Sequence, residues 1–116
     1  MEQAYWYIID KGLSTNKSYP LIDKTQPCKY SPAMKATNIS KCAKIPSENY
    51  HKLVSAVVTQ PVTVAVESDK FMLYSRGVYT GPCGTDIDRG MLLVGYGKEG
   101  ANDYWILKNS LGPNWG

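Results

Sequence analysis

The stretch from Gly90 to Ser110, "GMLLVGYGKEGANDYWILKNS", most restricts what this chain can fold into. Two runs rich in apolar and aromatic residues, 90–97 and 102–110, flank the polar turn "KEGA" and read as a pair of antiparallel strands. Gly95 and Gly97 inside the first run mark a bulge or a close backbone approach. A third run, "VTVAVE" at 62–67, is a strand of β-branched residues. Asp88-Arg89-Gly90 breaks the apolar pattern just ahead of the second of these strands, and the charge at Arg89 needs a reason.

Helical spacing occupies the earlier part of the chain. Met1, Ala4, Tyr5 and Ile8 recur at i, i+3, i+4 and i+7, Ile9 widens the stripe, and Gly12 stands where the helix 1–11 ends. Ser47 is placed to cap a second helix. Its stripe is Tyr50, Leu53, Val54, Val57 and Val58, and Pro61 follows its end. His51 flanks that stripe and reads as a solvated helix residue. Between the helices, residues 13–46 carry four prolines among many Ser, Asn and Lys. Such a long irregular run in a compact domain needs crosslinks or a neighbouring domain to pin it. Two helices followed by several strands give an α+β fold, not an alternating one.

Composition removes several function classes. A length of 116 residues suits one modest domain or part of a larger one. The net charge is +3 and no run of five basic residues occurs, so neither nucleic acid nor a membrane surface is expected as a partner. No stretch reaches 18 apolar residues, which excludes a membrane-spanning helix, and "MEQAYWYIID" lacks the features of a signal peptide. The single histidine and the absence of any C-x-x-C motif argue against a metal, and no cofactor motif is present. Cys28, Cys42 and Cys83 are an odd set. They are either three buried free thiols or disulfide halves with at least one partner outside the chain. Asn16 and Asn38 open N-x-S tripeptides and are glycosylation candidates on a secretory route. Nine Tyr and three Trp stand against one Phe, which favours rings half-buried at edges or clefts.

"QPVTVAVE", "FMLYSRGVYTGPCGTDIDRGMLLVGYG" and "DYWILKNSLGPNWG" together resemble the papain-like cysteine proteases. The family's comparable segments are Q-P-V-S-V-A-x-E, F-x-x-Y-x-x-G-[VI]-[FY]-x-G-x-C-G, D-H-[AG]-V-x-x-V-G-Y-G and Y-W-[IL]-[VIL]-K-N-S-W-G-x-x-W-G. The front of the chain, to "QPCKY", is similar to the helix and Y-P-Y loop that follow the family's C-x-G-G turn. The resemblance implies the C-terminal, sheet-bearing lobe of a two-lobed fold, an antiparallel β-barrel-like sheet with flanking helices. It further implies truncation at both ends: residues 1–46 as a remnant of the helical lobe and crossover loop, residues 47–116 as the sheet lobe. No segment resembles the nucleophile motif Q-x-x-C-G-x-C-W, and the chain stops at "NWG", where family members continue.

The resemblance also carries site expectations. Arg89 stands at the position of the catalytic histidine. Asn109, 20 residues on, matches the asparagine that orients that ring. Leu111 replaces the tryptophan that shields the pair, and Trp115 matches the second family tryptophan. Ala65, Ile87 and Gly90 match the wall of the substrate pocket for an apolar side chain. Cys28, Cys42 and Cys83 match disulfide cysteines whose partners lie outside these 116 residues, although Cys28 and Cys42 are also candidates to pair with each other. Read without the family, Arg89 is a rim arginine paired with Asp86 or Asp88, Asn109 a polar strand end, and the apolar wall ordinary packing. The implied function is a papain-family peptidase homologue or fragment that is proteolytically inactive alone. Its partners would be a peptide or protein substrate, a protease inhibitor, or a complementary helical lobe. The alternatives are a non-enzymatic binding or decoy module and a split-gene product with no function of its own. The implied location is extracellular, lysosomal or vacuolar.

Overall fold

The computed structural model describes residues 1–116, which divide into two compact units, Met1–Lys44 and Ile45–Gly116. The first unit opens with helix α1, Glu2–Lys11, at the position its periodicity predicts. Gly12 ends it, donating its N–H to Ile8 O at 2.9 Å with a left-handed φ of 79°. A Cβ at Gly12 would lie 2.6 Å from Thr37 O, so both the turn and the packing demand glycine.

The segment expected to be irregular is partly ordered. Strand β1, Leu13–Ser14, pairs antiparallel with β2, Lys35–Thr37. Tyrosine hydroxyls fix the rest: Tyr30 donates to Lys11 O at 2.7 Å, and Tyr19 Oη accepts from Lys29 N–H at 3.1 Å. Tyr7 meets Tyr30 edge-on. No crosslink contributes. Cys28, Cys42 and Cys83 are all free. The candidate Cys28–Cys42 pair does not form. The thiols are also exposed, not buried.

The second unit begins with helix α2, Tyr50–Thr59. Its cap is Asn49, whose Oδ1 accepts from Lys52 N–H at 3.0 Å, and not Ser47. Glu48 has a φ of 58°, so the chain turns there and the helix starts two residues later than Ser47 would dictate. Strands β3 (Val62–Val66), β4 (Arg89–Glu99) and β5 (Asn102–Lys108) form one antiparallel sheet in the order β3-β4-β5. The sheet is open, with β3 and β5 as its edges, so the barrel-like expectation reduces to an unclosed three-stranded sheet. Glu99 faces Asn102 across a two-residue hairpin, and Gly100 supplies the positive φ of 61° that such a turn requires. The expected bulge falls between Leu93 and Gly95, leaving Val94 as the extra residue. α2 packs on β4. Val57, Met91 and Leu93 are the buried apolar residues, and Trp105 bridges Tyr50 of the helix and Tyr96 of the sheet.

Candidate functional site

The site is built on the end of the sheet where β3 finishes and β4 starts. Pairing places Val66 opposite Arg89 and Ala65 opposite Gly90, and Asp88 N–H extends the ladder to Val66 O at 3.2 Å. This register delivers Ser68, two residues beyond Val66, to the side chains of Asp88 and Arg89. Ser68 is 1% exposed. Its N–H donates to Asp88 Oδ1 at 2.8 Å and its hydroxyl to Asp88 Oδ2 at 3.0 Å, so both carboxylate oxygens are engaged by one residue. Arg89 Nε then donates to Ser68 Oγ at 3.0 Å.

This arrangement replaces the expected ion pair. Arg89 forms no salt bridge with Asp86 or Asp88, and the Asp88 carboxylate is held by Ser68. Only one of the five guanidinium N–H donors has a partner. Desolvation pushes the Asp88 pKa up. The hydrogen bonds from Ser68 and from the Asp88 N–H, with the Arg89 charge, outweigh that and hold it below the ordinary carboxylate value. Ser68 was not among the residues singled out from the sequence. Its only signal is the pairing of Val66 with Arg89, which brings together residues 21 apart in the chain.

Asn109 follows β5 directly. Leu92 pairs with Lys108, so the next rung brings Asn109 level with Met91, two residues from Arg89. Its carboxamide is turned back on its own chain: Oδ1 accepts from Ser110 N–H at 2.8 Å, and Nδ2 is buried with no partner. With Tyr74, Leu107, Pro113 and Trp115 it lines a cavity of about 630 Å³. Trp115 is fixed there by its indole N–H to Met72 O at 3.1 Å and by ring contact with Tyr74. Leu111 is exposed. Arg89 does not line this cavity.

Ala65, Ile87 and Gly90 are all exposed, and the first and last face each other across β3 and β4. Ala65 and Gly90 pair on the rung next to Val66 and Arg89, so they face the opposite side of the sheet from the Arg89 side chain, and Ile87 precedes Arg89 by two residues. No cluster of His, Cys, Asp and Glu suited to a metal ion is present, and no helix is long and apolar enough to cross a membrane. Asn16 and Asn38, in the first unit, are both exposed, and Asn16 Oδ1 accepts from Leu21 N–H at 3.1 Å.

Comparison with known proteins gives the chain its relatives. The family described as papain family cysteine protease matches residues 1–116. The chain is 40% identical over its whole length to the probable cysteine protease RDL6 of Arabidopsis thaliana and covers 34% of that protein. It is 41% identical to the senescence-specific cysteine protease SAG39 of Oryza sativa subsp. indica and covers 35% of it. The chain thus spans about a third of the length of these curated relatives. Among solved structures, digestive procathepsin L2 proteinase from Tenebrio molitor larval midgut superposes on all of the chain. There the TM-score is 0.92 and the identity 35%, with 38% of that protein covered. The bromelain protease from Ananas comosus, solved with the E64 inhibitor, superposes on 98% of the chain. Its TM-score is 0.87 and its identity 35%, with 54% of it covered. Sequence, register and superposition converge: the chain belongs to the papain family of cysteine proteases.

Proposed function

We propose that this chain is a papain-family homologue that holds peptides on its sheet unit without cutting them. The observation that carries this reading is Arg89 at the position matching the family histidine, anchored through Nε to Ser68. A cysteine thiol, with an ordinary pKa of about 8.5, becomes a competent nucleophile when a paired imidazole takes its proton. The same group must then protonate the leaving amine. A guanidinium has a pKa above about 12 and no acceptor site, so it cannot carry a proton through that cycle. It stabilises negative charge and does nothing more. Asn109, whose Oδ1 is committed to Ser110 N–H, orients no ring in this arrangement. Ala65, Ile87 and Gly90 keep an apolar shelf for a peptide side chain.

Under this reading residues 47–116 are the sheet lobe of the family fold, and residues 1–46 correspond to part of the helical lobe and the crossover. The partners are a peptide or protein substrate, a protease inhibitor of the kind the bromelain complex contains, and a complementary helical lobe. The digestive, larval-midgut setting of the Tenebrio relative, together with exposed Asn16 and Asn38, supports an extracellular, lysosomal or vacuolar location.

The test has two arms. The chain should release no fluorophore from a peptide-coumarin substrate, with or without reductant. Introducing arginine for the matching histidine of the bromelain protease should lower kcat/KM by at least about a thousandfold, the scale of losing a member of a catalytic triad. Alkylation-sensitive turnover by the chain, or a bromelain variant that retains activity, would overturn the proposal.

A further inference from the structure

The two N-x-S tripeptides of the first unit are alike in sequence and unlike in structure. Asn16-Lys17-Ser18 lies in a tight turn. Ser18 N–H and Tyr19 N–H both donate to Thr15 O, at 3.1 and 2.9 Å. Ser18 Oγ lies 3.0 Å from Thr15 Oγ1 and donates to Thr15 O at 3.2 Å. The Asn16 carboxamide is engaged as well, its Oδ1 accepting from Leu21 N–H at 3.1 Å. Local side chain–backbone bonds of this kind hold a turn closed. Asn38-Ile39-Ser40 has none of them. It follows β2 directly, and Asn38 and Ile39 lie outside any helix, strand or hydrogen-bonded turn. Asn38 and Ser40 are exposed and Ile39 between them is half-buried, so the carboxamide and the hydroxyl both face solvent. Neither side chain has a hydrogen-bond partner.

We infer that Asn38, and not Asn16, is the N-glycan acceptor of the folded chain. The donor is a lipid-diphosphate-linked oligosaccharide, and the partner is a transferase that reads N-x-S/T. Asn38 Nδ2 attacks the anomeric carbon of the first sugar. A C–N bond forms and the C–O bond to the diphosphate breaks. The lipid diphosphate leaves with that electron pair, Nδ2 gives up one proton to a base on the transferase, and nothing is oxidised or reduced. A carboxamide nitrogen is a weak nucleophile because its lone pair is delocalised into the carbonyl. The transferase must therefore grip the carboxamide and the hydroxyl two residues on together. At Asn38 and Ser40 both groups are available. At Asn16 the fold already holds Oδ1 and the Ser18 hydroxyl, and gripping them means opening the turn. The position also suits a bulky hydrophilic group: β2 pairs only with β1, and a glycan one residue beyond Thr37 shields its free edge. The inference is independent of the peptide-holding reading.

The experiment uses the purified 116-residue chain, made without glycan, together with a eukaryotic oligosaccharyltransferase and its lipid-linked donor. Intact mass and glycopeptide mapping read the product. The folded chain is expected to gain a single glycan, on Asn38. Asn38→Gln and Ser40→Ala should abolish the gain, and Asn16→Gln should leave it unchanged. Two peptides, spanning residues 12–22 and 33–41, carry the same tripeptides outside the fold, and both should be modified. No glycan on the folded chain would overturn the inference, whatever the peptides do. Occupancy of Asn16 equal to that of Asn38 in the folded chain would overturn it too. Refusal of the 12–22 peptide would show that sequence, and not the closed turn, excludes Asn16, and would sink the structural account.

Discussion

Ser68, Asp88 and Arg89 form a single unit, and each explains the state of the others. Asp88 stays ionised below its ordinary range because two Ser68 donors, its own N–H and the Arg89 charge favour the anion. A lowered folded pKa adds stability that is complete above the unfolded value, about 3.9, and is lost as pH falls through the folded value. Asp88→Asn is therefore expected to melt below the unaltered chain at pH 7, with the difference closing below about pH 4. Thermal melts across the acid range check it, and a gap that does not narrow as the pH falls would contradict it. The sequence makes Arg89 conspicuous but points it at the nearest carboxylates, Asp86 and Asp88. Its true partner is legible only once the register pairs Val66 with Arg89 and brings Ser68 alongside. A one-residue slip would have turned the side chains to the other face and dissolved the cluster.

Elements with strong periodicity are readable from sequence, and weakly patterned ones are not. The β4–β5 hairpin, its bulge beside Gly95 and helix α1 follow from spacing and glycine placement. The β1–β2 pair does not, because strands of two and three residues carry no alternation. What sets that pair is Gly12, whose open face admits Thr37 O. Gly12→Ala is expected to cost more than about 1 kcal/mol, since it adds a Cβ both at positive φ and against a carbonyl. Chemical denaturation measures this, and a neutral effect would contradict the packing described. Helix α2 shows the subtler failure. Ser47 and Asn49 are equally good caps by composition, and the left-handed Glu48 decides between them. Asn49→Ala should cost about 1 kcal/mol and Ser47→Ala little, by the same measurement. The reverse order would show that the helix starts earlier.

At the scale of the whole molecule, little apolar surface is deeply buried. Only Val57, Met91 and Leu93 form the core, while Leu73, Leu21, Val58 and Trp6 are exposed at 98%, 91%, 69% and 63%. Exposed apolar surface on this scale favours association. The chain in free solution is expected to bind a hydrophobic dye and to sediment as a concentration-dependent mixture. A monomer that binds no dye would contradict this. The family was legible in the sequence because its motifs are long and ordered. What the substituted position does was not, because charge at Arg89 alone does not say whether the guanidinium is neutralised, catalytic or free to bind.

The decisive measurement is mass spectrometry of acetyl-Tyr-Leu-Val, as free acid and as amide, recovered from the immobilised chain after prolonged incubation at neutral pH in the presence of reductant. A chain whose histidine position holds a guanidinium clamped to Ser68 should return both peptides intact. Cleaved peptide, produced by the unaltered chain and abolished by thiol alkylation, would show that Arg89 does not block the proton cycle and would contradict the peptide-holding function.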